Sequence, residues 1–238
     1  MKANPMQAEK PRLLRVLEWL TVISLAVALY LTFFYAPREA VMGEVQRVFY
    51  FHVASGWLGM MAFIIAAVAG IAYLSRRDMR WDVLAVACVE IGIIYAFINT
   101  ASGSIWARPA WNTWWTWDPR LVTSTIMILV YIAYLMLRQG LEDPEQRARF
   151  GAVYSLVAAV TVPLTYFSIR IWRTLHPVVI GSGSPTAEGG FDMTSRMLVA
   201  FLFALLTFTF LGVTLIWQRY RLGQLNQHVE QLRAEVQD

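Results

Sequence analysis

The feature that most constrains this chain is a series of six apolar runs, each near the ~20 residues an α-helix needs to cross a bilayer core. They are Val16–Tyr35, Val53–Leu74, Val83–Ser102, Leu121–Leu137, Gly151–Phe167 and Leu198–Trp217. Backbone N–H and C=O groups cannot stay unpaired in lipid, so such runs fold as helices. The expected fold is an all-α membrane protein, a bundle of six transmembrane helices. With 58% hydrophobic and 15% charged residues, a water-soluble domain would lack the polar surface to cover itself. No Pro, Gly or Ser-rich linker separates the runs, so residues 1–238 read as a single polytopic membrane domain. Val16–Tyr35 follows Lys2, Lys10, Arg12 and Arg15 as a signal peptide does, but it is longer than a signal core and no small-x-small cleavage site follows. It reads as a retained anchor.

An even number of spans puts both termini on one side. That side carries thirteen of the twenty Lys and Arg residues, against seven opposite, so the positive-inside rule places both termini in the cytoplasm. Three loops then face outward: Ala36–His52, Gly103–Arg120 and Ser168–Met197. The net charge of +4 does not point to nucleic acid, because the cations sit at the ends of apolar runs rather than along one polar face. In the cytoplasmic tail, about 218–238, Leu222, Leu225, Val229, Leu232 and Val236 recur at spacings of three and four. This reads as a short amphipathic helix or, more simply, as a frayed polar extension.

The second outward loop holds Trp106, Trp111, Trp114, Trp115 and Trp117, half of the chain's ten tryptophans, with Arg108, Asp118 and Arg120 among them. An interfacial aromatic belt spreads its residues over many helix ends. Crowding in one loop instead suits a platform for a flat, apolar, aromatic ligand with an anionic rim: indoles stack on it and arginines pair with its carboxylates. Haem fits that description. Asp118-Pro119 is also suited to cap the helix that begins near Leu121.

Two of the three histidines fall on the same side. His52 stands at the outward start of the second span and His176 in the third outward loop, and two neutral imidazoles from separate segments can bind opposite faces of one haem iron. The third, His228, lies in the tail and receives no role. The single cysteine, Cys88, lies inside a span, so there is no Cys-x-x-Cys-His attachment site and any haem is b-type and non-covalent, its holding being transient only if it is passed on. Glu90, the one acidic side chain well inside a span, is either a pathway group or, in protonated form, a partner in an interhelical hydrogen bond. Pro163 is expected to kink the fifth span, and Arg170 and Arg173 beyond it reach either a ligand carboxylate or the headgroups.

The segment Trp111-Asn112-Thr113-Trp114-Trp115-Thr116-Trp117-Asp118-Pro119-Arg120-Leu121 resembles the WWD signature of the haem-handling proteins of cytochrome c biogenesis. With Phe51-His52-Val53, Thr174-Leu175-His176 and six spans, nearly the whole chain is similar to the cytochrome c maturation protein C (CcmC) family. Asn112 departs from the family pattern, where glycine is expected; asparagine tolerates left-handed backbone better than most residues. The resemblance implies a haem-delivery factor of the bacterial inner membrane; no nucleophile or acid-base pair is evident in the sequence, so it is not read as an enzyme, with a haem-lyase-like role left open. In such a factor the tryptophan loop holds haem at the periplasmic face, with His52 and His176 as axial ligands, and passes it to the haem chaperone CcmE. It implies as further partners the ABC transporter subunits CcmA and CcmB and the small membrane protein CcmD.

Two other classes compete. A small-molecule transporter or channel would use Glu90 and line a central path with polar residues, of which the spans hold few. A haem electron-transfer protein would usually ligate haem from within its helices.

Overall fold

The computed structural model describes residues 10–40, 42–178 and 193–237. The expectations for Lys2 and for positions 179–192 of the third outward loop lie outside these residues. Seven α-helices follow in order: α1 (Arg12–Tyr30), α2 (Arg47–Arg76), α3 (Met79–Trp111), α4 (Pro119–Gln139), α5 (Pro144–Ala159), α6 (Thr161–Ile171) and α7 (Ser195–Gln237). A π-helical turn, Leu31–Tyr35, prolongs α1, and a short 3-10 turn, Glu44–Gln46, leads into α2. Among the described residues six helical segments are long and apolar enough to cross a membrane, with α5 and α6 forming one span. The chain is therefore a multi-pass membrane protein.

Local chemistry sets the helix ends. Asp78, Asp118 and Asp143 each cap a helix by accepting from backbone N–H groups one turn in, and the last two are followed by Pro at the first helical position, where its missing N–H costs nothing. The expected cap at Asp118 is thus present. The fifth span divides at Val160, three residues before Pro163, which has no N–H to offer the carbonyl four residues back.

Three boundaries differ from the sequence reading. The third span does not stop at Ser102 but continues through Pro109 to Trp111, so Trp106 and Trp111 are helical and the loop proper is only residues 112–118. Gly103 and Pro109 read as punctuation, yet a helix that leaves the bilayer core tolerates both. The second span starts earlier, at Arg47, which puts His52 in the second turn of α2 rather than at its edge. The tail is not frayed: α7 runs unbroken to Gln237.

In lipid, helices associate by close packing and interhelical hydrogen bonds rather than by hydrophobic burial. The central pair, α2 and α3, approaches closely at Gly59, where a Cβ would lie 3.1 Å from the Ala96 nitrogen. α1 joins α7 through Thr21 and Thr214, whose hydroxyls are 2.9 Å apart, and through Thr207 Oγ1 donating to Ser24 O (3.3 Å). At the end that carries both termini, Arg138 of α4 grips Asp82 of α3 in bidentate fashion at 2.6 and 2.8 Å. Glu90 is likewise paired: Arg219 of α7 donates to it at 2.8 Å. The interhelical hydrogen bond offered as one reading of Glu90 is therefore present, with an arginine as its donor, and it ties α3 to α7.

Candidate functional site

The opposite end of the bundle gathers the singled-out side chains. His52, from α2, and His176, from the segment after α6, bring their rings to a centroid separation of 6.3 Å at 80° to one another. Trp111 at the end of α3 sets its ring against His176 (6.0 Å, 64°), and Trp106, one turn earlier, packs edge-on against Trp111 (5.1 Å). These four rings form one cluster. Trp115 and Trp117 make a separate edge-to-face pair at 6.1 Å, and Trp114 and Trp117 stand out from the surface, 59% and 84% exposed. Three of the five tryptophans therefore belong to a projecting loop, while two are built into the wall beside the imidazoles.

The loop conformation depends on Asn112. It ends α3 with φ 57° and ψ 23°, the left-handed region in which asparagine is among the better-tolerated residues after glycine. Its carbonyl accepts from Arg108 at 2.7 Å, so the departure from glycine is accommodated and the turn is closed.

Asp118 was grouped with ligand-contacting residues on sequence grounds. The structure turns its carboxylate, buried at 7% exposure, toward protein donors: Thr174 Oγ1 donates to both oxygens (2.7 and 2.8 Å), Leu175 N–H at 2.8 Å and Arg120 N–H at 2.9 Å. Thr174 Oγ1 in turn accepts from His176 N–H at 3.0 Å. One carboxylate thus caps α4 and fastens the His176 segment to the tryptophan loop. Thr174 was missed as a site residue, although its place two positions before a histidine is where a side chain can hold that histidine's backbone.

His52 is oriented from α3. Its Nδ1 faces the Asn99 carbonyl at 2.9 Å, an acceptor that favours the tautomer with the proton on Nδ1 and the lone pair on Nε2. The Asn99 amide returns to α2 by donating to the His52 carbonyl at 2.8 Å. Gly103 lies under the ring, where an added Cβ would sit 2.8 Å from Cε1; only glycine lets the imidazole rest against α3. Asn99, Gly103 and Trp106 stand at i, i+4 and i+7 and so share one face of α3.

Arg120, in the first turn of α4, donates to the Thr165 carbonyl of α6 and lines the same two cavities as the histidine pair. Among the described residues no carboxylate lies within ion-pair distance of its guanidinium. Two cavities meet at His52, Asn99, Arg120 and His176: a small one of about 40 Å³ under Trp106 and Trp111, and one of about 340 Å³ running down α2 and α6. Among the described residues Trp106 Nε1 and His176 Nδ1 are buried there without a hydrogen-bond partner, a cost that a ligand or water would relieve.

The family model for CcmC, heme exporter protein C, matches residues 2–235. The chain belongs to the heme exporter protein C family. A heme exporter protein C from Bradyrhizobium diazoefficiens is 35% identical over 92% of this chain and 82% of its own length. Those from Rhodobacter capsulatus (33%, over 67% of each chain) and Escherichia coli K12 (27%, over 89% of this chain and 86% of its own) are also similar. For this CcmC-family chain, membership agrees with the WWD resemblance, and the geometry adds what each signature residue touches.

Burial, then the Arg120 guanidinium and then the His52 ring hold the His176 imidazole well below the ordinary histidine value of 6.5. The folded chain keeps this ring neutral while the unfolded chain protonates it near 6.5, so its contribution to stability is complete above that pH and is lost as pH falls below it. Unfolding of the ligand-free protein in detergent at pH 7.5 and 5.5 should show a decline with acidification, at most about 1.4 kcal/mol per pH unit for one group. His176→Gln should flatten that decline; an unchanged slope would remove His176 as its source.

Proposed function

We propose that this protein binds haem b non-covalently at the tryptophan end of the bundle and delivers it to the haem chaperone CcmE for cytochrome c maturation. His52 and His176 serve as axial ligands, Arg120 receives a propionate, and Trp106 and Trp111 flank the macrocycle, with Trp114, Trp115 and Trp117 presented toward the chaperone. The observation that carries this reading is the 6.3 Å between the two imidazole centroids. Two imidazoles on opposite sides of one metal need about 6 Å: a metal–nitrogen bond near 2 Å and about 1 Å from nitrogen to ring centre on each side. Arg120, which has no carboxylate partner among the described residues, supplies the charge that an anionic rim requires.

Haem is cargo here, and what the protein contributes is placement. The imidazoles fix the iron, Arg120 fixes the rim, and the approach of the chaperone to a held macrocycle converts an encounter into an oriented reaction. Family membership suggests CcmA, CcmB and CcmD as neighbours in a bacterial inner membrane. The excess of cations at the terminal end supports a cytoplasmic location for both termini, with the haem site periplasmic. Asp118 acts in this scheme by positioning His176.

The test is an optical spectrum of the detergent-purified protein co-expressed with its assembly partners. Wild type should carry a haem band of bis-histidine character, and His52→Ala and His176→Ala should each lose that character. Wild type without any haem band would defeat the proposal; a band unchanged in both variants would defeat the axial assignment.

A further inference from the structure

The larger of the two cavities is not needed to bring the histidines together, and its shape has a function of its own. From His52 it follows α2 past Gly56 and Met60 to Ile64, three turns deeper, with Val162 and Phe167 of the fifth span on its other wall. Twelve residues of helix cover about 18 Å, roughly half a bilayer core. Trp57, Ile64 and Phe167 along it are 43%, 43% and 47% exposed, so the groove lies open along the flank of a membrane-spanning bundle.

Its lining changes along its length. The deep part is apolar, while the end at the histidines carries Asn99, Arg120 and Arg170. An amphiphile dissolved in a membrane has the same polarity: its apolar body lies among the acyl chains and its carboxylates lie at the headgroups. A planar tetrapyrrole with two carboxylates can therefore pass from bilayer to groove without turning over and without exposing its apolar faces to water. The reverse arrangement, entry from the aqueous side, meets the cavity of about 40 Å³ beneath Trp106 and Trp111.

We infer that the groove between α2 and the fifth span is a lateral portal through which haem enters from the lipid phase and slides up to the His52–His176 pair. This rests on the haem-binding reading above and adds the route to it. Trp57 fixes the portal's edge, since its Nε1 donates to Thr209 Oγ1 of α7 at 3.1 Å.

The experiment uses the full chain, free of haem, in lipid nanodiscs. Haem preloaded in donor vesicles is mixed in, and the rise of the ligated band is followed by stopped flow. Met61→Trp fills the groove below the histidines and should slow loading at least tenfold, with Met61→Phe as a smaller plug should the first variant fold poorly. Leu129→Trp, on an exposed face of α4 outside the groove, should load at the wild-type rate. Equal rates in Met61→Phe and wild type would overturn the portal while leaving haem binding intact. A tetrasulfonated iron porphyrin, which stays in water, would also overturn it by ligating as fast as haem. Absence of any ligated band in wild type would instead overturn the haem reading itself.

Discussion

Asp118→Ala is expected to cost about 2–4 kcal/mol of stability and to detach His176 from a bound haem while His52 remains in place. The magnitude follows from what the carboxylate does. It is a buried charged acceptor for three donors, namely Thr174 Oγ1, Leu175 N–H and Arg120 N–H, and it caps α4. Hydrogen bonds to a charged group contribute about 1.5–3 kcal/mol each, and loss of a cap about 1 kcal/mol, with incomplete additivity. His52 hangs from Asn99 on α3 and shares none of these partners. The loaded variant should therefore change from a six-coordinate, bis-histidine spectrum to a five-coordinate one. Asp118→Asn separates the two roles: asparagine still caps a helix well but cannot accept on both sides, so α4 should hold while the His176 segment loosens. A bis-histidine spectrum in Asp118→Ala would show that the His176 segment stands without this clasp.

How far the sequence could be read depended on the range of the interaction involved. Six spans, the Asp118 cap and an interruption of the fifth span near Pro163 are local matters of hydropathy and backbone chemistry, and all three are present in the structure. The extent of α3 was not legible, because Gly103 and Pro109 are helix breakers by propensity and only tertiary contacts decide otherwise. Gly103 is tolerated because the His52 ring occupies the space of its missing side chain, and that ring comes from a residue 51 positions earlier. The pairing of Glu90 with Arg219 links α3 to α7 across 129 residues, and the clasp of Asp118 on Thr174 spans 56. Such contacts leave no periodic mark. The candidate residues were thus found by type and clustering, while their division into ring-bearing walls, a projecting loop and a positioning carboxylate required the fold.

Arg120→Gln should have effects of opposite sign on the empty and the loaded protein. In the ligand-free chain the guanidinium donates to the Thr165 carbonyl and, among the described residues, has no carboxylate partner; Asp118, two positions earlier, is committed to Thr174 and Leu175. A half-buried cation with no counter-ion among the described residues is destabilising, and replacing it with a neutral side chain that can still donate to Thr165 should raise stability by about 1 kcal/mol. The same change removes the charge offered to an anionic rim, a charge-assisted hydrogen bond of about 1.5–3 kcal/mol, so haem affinity should fall roughly tenfold to a hundredfold. A merely structural arginine would move both quantities in one direction. Thermal unfolding without haem, together with haem titration of the same preparation, reads the two effects independently. Arg120→Lys offers a further distinction: it restores the charge but not the forked donor geometry, and should recover only part of the affinity. If Arg120→Gln lost stability and kept its affinity, the guanidinium would be a helix tie between α4 and α6, and the anionic edge of the ligand would have to be held elsewhere.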